Sequence, residues 1–165
     1  MKEERDLYDG KLKLTGKTYF KGDKIPNNYF PMVVMIAIQN SKGQFLMQKR
    51  SKNKGGDWGV TGGHPKHGQS PTEGIITEVY EELGIDISNN NFVEFDRGCD
   101  GKDCYIMYYT KMDIDISKLT IQLDELSEVR WFNIEELQRM VDSGEMNNDQ
   151  IDFFVKCSNF LKKIE

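Results

Sequence analysis

The chain has 165 residues, a net charge of −5, 38% hydrophobic residues and 30% charged residues. This length suits one domain that buries about 70% of its unfolded surface, and the composition excludes a wholly disordered chain. An acidic chain without a broad basic stripe is not expected to bind a nucleic-acid polymer. The apolar run that contains VVMIAI is far too short for a membrane span, which needs ~20 residues.

The N-terminus and the cysteines predict where the protein works. Met1 is followed by KEERD and by no apolar segment, which is not typical of a signal peptide. The cysteine count, three, is odd, and such a chain is expected to keep its thiols reduced in the cytoplasm, Cys99 and Cys104 included. We expect a single domain over residues 1–165, with an N-terminal hairpin at about residues 5–20 and C-terminal helices at about residues 133–163.

The first part of the chain predicts strands. RDLYDGKLKLTGKTYF is typical of a hairpin that turns at Asp9-Gly10. MVVMIAIQNSKGQFLMQKR predicts two strands joined by a turn at residues 40–43. The first of these strands is continuously apolar, as expected for a strand that is covered on both faces.

A helix follows a loop rich in glycine, TGGHPKHG. Ser70 is a natural N-cap, Pro71 fits the first helical position, and Glu73 completes a capping box. Gly84 predicts the end of the helix in the left-handed conformation. At ~100° per residue, one face is predicted to be buried: Ile76, Val79, Tyr80 and Leu83.

The last part of the chain predicts further strands and then two helices. NFVEFDR, CYIMYYTKMDI and LSEVRWFNI are the strand candidates. The first helix begins after Asn133, with Glu136 three residues later as its capping partner. The second helix covers QIDFFVKCSNFLKKI, and its apolar positions are Ile151, Phe154, Val155 and Leu161. We interpret both helices as packing elements that carry no chemistry.

Three glutamates crowd one face of the predicted central helix. Glu78, Glu81 and Glu82 lie three and four residues apart, where like charges repel by a few tenths of a kcal/mol per pair. They also lie near the helix C-terminus, whose partial negative charge increases the penalty. A solvated helix face is the simple interpretation, but the glycine loop would let a ligand approach closely. Oxygen ligands on a rigid helix favour Mg²⁺ or Mn²⁺.

This segment resembles the Nudix box, whose pattern is G-x5-E-x7-R-E-U-x-E-E-x-G-U, with U a bulky apolar residue. The chain follows the pattern in register from Gly63 to Ile85, with Gln69 in place of the first glutamate and Thr77 in place of the arginine. NSKGQFLMQKRS, DWGVTGG and LSEVRWFNIEEL resemble segments that flank the box. The resemblance implies a Nudix fold of the α/β class, with a mixed β-sheet sandwiched between helices. It also implies hydrolysis of a pyrophosphate linkage in a nucleoside diphosphate derivative or related organic diphosphate.

The resemblance also implies which residues form the site. Glu78, Glu81 and Glu82 would bind Mg²⁺ or Mn²⁺, aided by the backbone carbonyl of Gly62, and Glu78 and Glu82 would be catalytic. The metal would neutralise the pyrophosphate and activate a water molecule. The expected partner is a small diphosphate; neither a nucleic-acid polymer nor a membrane is expected, and a homodimer is left open.

Three further positions are candidates by the same resemblance. A late glutamate often acts as the base in this family, and Glu125 occupies that region, with Asp124 and Glu128 as rivals. Lys49 and Arg50 end the strand before the box and are candidates for binding phosphate oxygens. For each of these charged residues, a purely solvating surface role is the alternative.

Two other functions stay open. GGHP resembles the CGHP stretch of isopentenyl diphosphate isomerases, but Gly62 occupies the position of their catalytic cysteine, and of their functional residues His64 alone is retained. We expect His64 and His67 to be exposed loop residues. The changes at Gln69 and Thr77 also leave open a binding or regulatory domain with weakened chemistry.

Overall fold

A computed structural model describes residues 1–165. The strands are β1 (Glu4–Tyr8), β2 (Leu14–Phe20), β3 (Met32–Gln39), β4 (Phe45–Arg50), β5 (Trp58–Gly59), β6 (Thr61–Gly63), β7 (Phe92–Cys99), β8 (Cys104–Lys111) and β9 (Leu126–Phe132). The helices are α1 (Pro71–Leu83), α2 (Ile134–Asp142) and α3 (Asn148–Ile164). None of these helices is long and apolar enough to cross a membrane.

The main sheet is mixed and splits in its middle. Its order is β5-β4-β3-β8-β7, with β6 pairing with β3 and β9 pairing with β4. β3 and β8 are parallel, and the other pairs are antiparallel. β3 and β4 share a single register pair, Gln39 with Phe45, beside the predicted turn at residues 40–43. Beyond that pair the two strands separate, which opens the sheet where the Nudix-like loop begins.

Two apolar cores lie on the two faces of this sheet. On one face, Val34 and Ile36 of β3 belong to the same buried cluster as Val79 of α1. On the other face, Ala37 of β3 belongs to a cluster with Phe153 of α3 and with residues of α2. Each fully buried large apolar side chain contributes about 1.5–3 kcal/mol. Because both faces are covered, β3 can be apolar throughout, and the predicted mixed sheet between helices is confirmed.

Helix α1 has the termini that the sequence predicts, but its buried face is rotated. The Ser70 side chain accepts from the backbone N–H of Glu73, and Gly84 ends the helix with a φ of 72°. The buried row is Gly74, Ile75, Val79 and Leu83. Tyr80 is 62% exposed, so its predicted burial is wrong. The 75-79-83 row of the helix faces the sheet, and Tyr80 lies about 100° away from that row.

The N-terminal strands form a separate two-stranded sheet, β1-β2. In its turn, the carboxylate of Asp9 accepts hydrogen bonds from the backbone N–H groups of Lys11 and Lys13. At the other end of the chain, α2 has the predicted capping box of Asn133 and Glu136. In α3 the buried residues are Phe153 and Cys157. Val155, predicted to lie on the apolar face, is 56% exposed, so that prediction is wrong.

The prediction of three reduced thiols is also wrong. Cys99 and Cys104 form a disulfide, and the remaining thiol, Cys157, is buried. The two bonded cysteines are direct partners across the antiparallel pair of β7 and β8. This pairing brings their side chains together, which a cysteine count does not reveal. The cysteines therefore no longer argue for a reducing compartment.

Candidate active site

A cavity of about 760 Å³ opens where the sheet splits. One wall comes from β4, β6, the loop after β6 and the end of α1, with Gln48, Arg50, Gly62, Gly63, His64 and Glu82 among its residues. The opposite wall comes from the disulfide-closed turn between β7 and β8 and from the start of α3, and includes Asp103, Tyr105, Gln150 and Lys156. The glycine loop and the glutamate helix thus face a space of the size that small ligands occupy.

Glu78 lies directly against the backbone of Gly63. A Cβ atom at Gly63 would stand 2.3 Å from the carboxyl carbon of Glu78, so any side chain here would displace the Glu78 carboxylate. Burial, followed by the negative charges of Glu82 and Glu81, raises the pKa of Glu78 from its ordinary 4.5 to about 8. The first glycine of the box therefore serves the close approach of a catalytic candidate.

Glu82 is the second partly buried carboxylate. Its Oε2 accepts a hydrogen bond of 2.5 Å from Nε2 of Gln48. Burial raises the pKa of Glu82 from 4.5 to about 7; the hydrogen bond from Gln48 opposes this rise, and the charge of Glu125 adds to it. The charge of Glu125 thus acts on Glu82, while the Glu125 carboxylate itself pairs with Lys54 at 3.2 Å. Its rivals Asp124 and Glu128 are exposed.

Glu81 has a different environment. It is exposed, and its carboxylate pairs with the ammonium group of Lys66. The three glutamates thus lie against three different partners, and no three acidic, histidine or cysteine side chains converge as a preformed metal cage. Like charges on one helix face separate when each finds its own partner. Glu78 and Glu82 nevertheless offer oxygen ligands whose raised pKa values reflect the burial and repulsion that a hard divalent cation relieves.

The two basic candidates lie on different sides of β4. Arg50 lines the cavity, and its positive charge opposes the rise in the pKa of Glu82. Lys49 is absent from the cavity lining, and its Nζ lies 5.9 Å from the ring centroid of Trp58. Because consecutive side chains of a strand point to opposite faces, the two residues cannot share one role. Gly62 lines the cavity while it pairs with Met35 of β3.

The histidines differ from the prediction that both are exposed. His67 is exposed, and its Nδ1 lies 2.7 Å from Oδ1 of Asp6. His64 is partly buried, and its Nδ1 lies 3.0 Å from the carbonyl oxygen of Met32. Burial lowers the pKa of His64, since the charged imidazolium would lose its hydration.

The two departures from the box pattern touch each other. The side-chain amide of Gln69 donates to the hydroxyl of Thr77 at 2.9 Å, and its carbonyl oxygen accepts from the backbone N–H of Lys66 at 2.9 Å. A neutral hydrogen bond thus joins the positions where the pattern has a glutamate and an arginine. The two changes form one unit, which anchors the glycine loop to α1.

The interpretation of α3 as a packing element alone is wrong. Its first turns line the cavity, and Oε1 of Gln150 accepts a hydrogen bond of 3.0 Å from the backbone N–H of Val60. Gln48 and Thr61, whose side chains meet beside Glu82, also lay outside the sequence-based site. No local pattern marks these residues, because they come together through the tertiary fold.

Comparison with known proteins identifies the family. The model of the NUDIX domain matches residues 29–154. The chain belongs to the Nudix hydrolase family. An uncharacterized Nudix hydrolase of Listeria monocytogenes is 35% identical over 149 residues, and the match covers 87% of each chain. These Nudix relatives confirm the predicted enzyme class, a pyrophosphohydrolase.

Solved structures confirm the Nudix fold. The crystal structure of DR0079 from Deinococcus radiodurans superimposes with a TM-score of 0.80 at 20% identity, over 94% of this chain and 99% of that one. The NUDIX domain of Shewanella oneidensis NrtR, solved in complex with ADP ribose, gives a TM-score of 0.64 at 16% identity, over 86% of this chain and 92% of that one.

Proposed function

We propose that this Nudix enzyme uses Mg²⁺ or Mn²⁺ to hydrolyse a pyrophosphate linkage in a nucleoside diphosphate derivative or related organic diphosphate. The observation that carries the proposal is the pair of partly buried carboxylates: Glu82 lines a cavity of about 760 Å³, and Glu78 lies against Gly63, another lining residue. Two neighbouring carboxylates with raised pKa values are costly in a folded protein unless a ligand uses them.

The roles of the residues follow from their positions. Glu78, Glu81, Glu82 and the carbonyl of Gly62 would hold the cation, and Glu81 would exchange Lys66 for it. The cation supplies charge neutralisation of the diphosphate and lowers the pKa of water.

Two residues near the carboxylates, Arg50 and Glu125, would bind substrate or accept a proton, and Lys49 would have a weaker part. Arg50, which lines the cavity, would bind phosphate oxygens, whereas Lys49 would act only through the long-range field of its charge. Glu125 would accept the proton of the attacking water, since its charge acts on Glu82 and it can exchange its ion pair with Lys54 for that proton.

The cavity supports a polar diphosphate as substrate. Carboxylates, amides and lysines dominate the cavity wall formed by the β7–β8 turn and the start of α3. A prenyl chain would need an apolar wall. The NUDIX domain of NrtR, which has the same fold, was solved with ADP ribose, a polar diphosphate of the proposed class. An isomerase is disfavoured because Gly62 replaces the cysteine. We propose that the enzyme acts on a small-molecule substrate in the cytoplasm.

We also propose that residues 1–165 work as one unit. The carboxylate of Asp6 in β1 contacts the His67 ring and accepts from the backbone N–H of Gly68 at 2.9 Å. The carbonyl of Glu4 accepts from the backbone N–H of His67 at 2.8 Å. These bonds fasten the N-terminal hairpin to the glycine loop of the active site.

Isotope labelling tests the proposed reaction. We expect cleavage of at least one member of a panel of nucleoside diphosphate derivatives only when Mg²⁺ or Mn²⁺ is present. In ¹⁸O-labelled water, mass spectrometry should find one labelled oxygen in one phosphate product, because hydrolysis transfers solvent oxygen to phosphorus. Isopentenyl diphosphate should stay unisomerised. Unlabelled products from true turnover, or the formation of dimethylallyl diphosphate, would contradict the assignment.

A second prediction concerns the hydrogen bond between Gln69 and Thr77. We expect the double variant Gln69→Glu/Thr77→Arg to turn over substrate faster than the wild type, because an ion pair would orient α1 and the loop more firmly. The double variant should be more stable than the sum of the two single-variant effects predicts, with a coupling energy of about 0.5–3 kcal/mol. Urea denaturation and steady-state rates of the four proteins measure both effects. A slower double variant would identify the neutral pair as an adaptation to the natural substrate.

A further inference from the structure

A chain of polar side chains crosses the split in the sheet beside the candidate metal site. Gln48 is 6% exposed and Thr61 is 4% exposed, so both side chains are buried. The Thr61 hydroxyl donates to Oε1 of Gln48 at 2.8 Å, and Nε2 of Gln48 donates to Oε2 of Glu82 at 2.5 Å. We propose that Gln48, held by Thr61, is the positioning residue that aims the Glu82 carboxylate at the cation and the diphosphate. This inference rests on the proposed function.

The hydrogen bonds that link Thr61, Gln48 and Glu82 can run in only one donor-to-acceptor direction. An ionised carboxylate only accepts hydrogen bonds, so the amide nitrogen of Gln48 must face Glu82. Its carbonyl oxygen then faces Thr61, whose hydroxyl is the donor. Every buried side-chain nitrogen and oxygen of the protein has a partner, so turning the amide would leave polar atoms unpaired in a buried place. The orientation of the Gln48 amide is thereby fixed. Gln48 donates to Oε2 of Glu82 and makes no hydrogen bond to Oε1 of Glu82.

The location of Gln48 gives this bond a structural purpose. Gln48 pairs with Gly59 of β5 and Val129 of β9, on the β4 side of the split. Thr61 pairs with Ile36 of β3, on the other side. The backbones of β3 and β4 no longer bond to each other at this level, so the side chains of Gln48 and Thr61 bridge the gap. The bridge fixes Glu82 relative to both halves of the sheet and to Arg50, two residues farther along β4.

Three variants separate positioning from packing. Gln48→Leu keeps a similar volume but removes both polar groups. Thr61→Val keeps the shape and removes only the hydroxyl, whereas Thr61→Ser keeps the hydroxyl. Gln138→Leu is the matched control, since Gln138 is exposed and its side chain bonds only to Asp142. Circular dichroism melts establish that each variant is folded before metal binding is measured.

The readout is Mn²⁺ affinity without substrate, followed by kcat and KM for the diphosphate that the wild type cleaves. We expect Gln48→Leu to weaken Mn²⁺ binding roughly 10- to 100-fold, as loss of a partner behind a metal ligand does. We expect Thr61→Val to weaken it less, and Thr61→Ser and Gln138→Leu to match the wild type. In Gln48→Leu, kcat should fall at saturating Mn²⁺ while KM changes little, because Gln48 acts through Glu82.

Each outcome decides something. Wild-type Mn²⁺ affinity in folded Gln48→Leu, or equal losses in Thr61→Val and Thr61→Ser, would overturn the positioning role and leave the proposed function intact. A wild-type protein that binds no Mn²⁺ would overturn both. Where Gln48→Leu does not fold, the comparison of Thr61→Val with Thr61→Ser decides the matter, because both are small changes at a position outside the proposed ligand set.

Discussion

Glu82→Gln is expected to lower kcat by roughly 10²- to 10³-fold, the range for loss of one electrostatic stabiliser of the transition state, because the variant lacks a proposed metal ligand. It should also stabilise the metal-free protein at neutral pH. The wild-type Glu82 pKa is raised from 4.5 to about 7, so the native state holds a proton that the unfolded chain releases. The contribution of Glu82 to stability is therefore largest below pH 4.5 and falls as the pH rises through 7. A glutamine does not titrate, so the variant escapes this loss.

The size of the effect follows from the pKa shift. One pKa unit corresponds to about 1.4 kcal/mol, so the variant should gain at most about 3 kcal/mol relative to the wild type between pH 5 and pH 8. Urea denaturation with a chelator present measures the difference at both pH values. Glu135→Gln is a suitable control because Glu135 is exposed on α2, far along the chain from the carboxylate cluster. A difference that shrinks with rising pH would contradict the burial of Glu82.

Added metal should reverse the order of stability. Millimolar Mg²⁺ or Mn²⁺ binds the native state of the wild type and should raise its melting temperature. The same addition should leave Glu82→Gln nearly unchanged, since a neutral amide is a poor ligand for a hard cation. A wild type whose melting temperature does not respond to either metal would refute the metal site.

Much of the fold was predictable because its signals are local or belong to the family pattern. The capping residues Ser70 and Gly84 determine where α1 begins and ends, and both act within one turn of the helix. The apolar run of β3 indicated a strand that is covered on both faces. The box pattern placed the glutamates on α1 and the glycines before it, and the Nudix fold follows from the same match.

The rest depended on long-range contacts that no local pattern contains. Tyr80 is exposed because the sheet lies against the neighbouring row of α1, and helical spacing alone does not say which row that is. The disulfide of Cys99 and Cys104 depends on the register of β7 and β8. Gln150 reaches Val60 across 90 residues of sequence, so α3 could be recognised as a cavity wall only in three dimensions.

Gly62, just before the box, and Gly63, its first residue, should respond differently to alanine. A Cβ at Gly62 would stand 2.5 Å from the backbone carbonyl oxygen of Val34, which the pairing of β3 and β6 holds in place. We expect Gly62→Ala to lower the free energy of unfolding by about 1–3 kcal/mol or more, because the strands must move apart. The three atoms nearest a Cβ at Gly63 all belong to the flexible end of Glu78, and its carboxyl carbon would lie at 2.3 Å.

Gly63→Ala should therefore stay folded, with an unfolding free energy close to that of the wild type, but should displace the Glu78 carboxylate. A ligand moved by more than about 0.5 Å no longer holds the productive geometry, so Mn²⁺ affinity and kcat should both fall. Gly10→Ala is the control, because its Cβ would lie 3.7 Å from the ring of Phe30, an ordinary contact. Urea denaturation and Mn²⁺ titration of the three variants test the contrast. If folded Gly63→Ala bound Mn²⁺ as tightly as the wild type, Glu78 would not be a ligand held against Gly63.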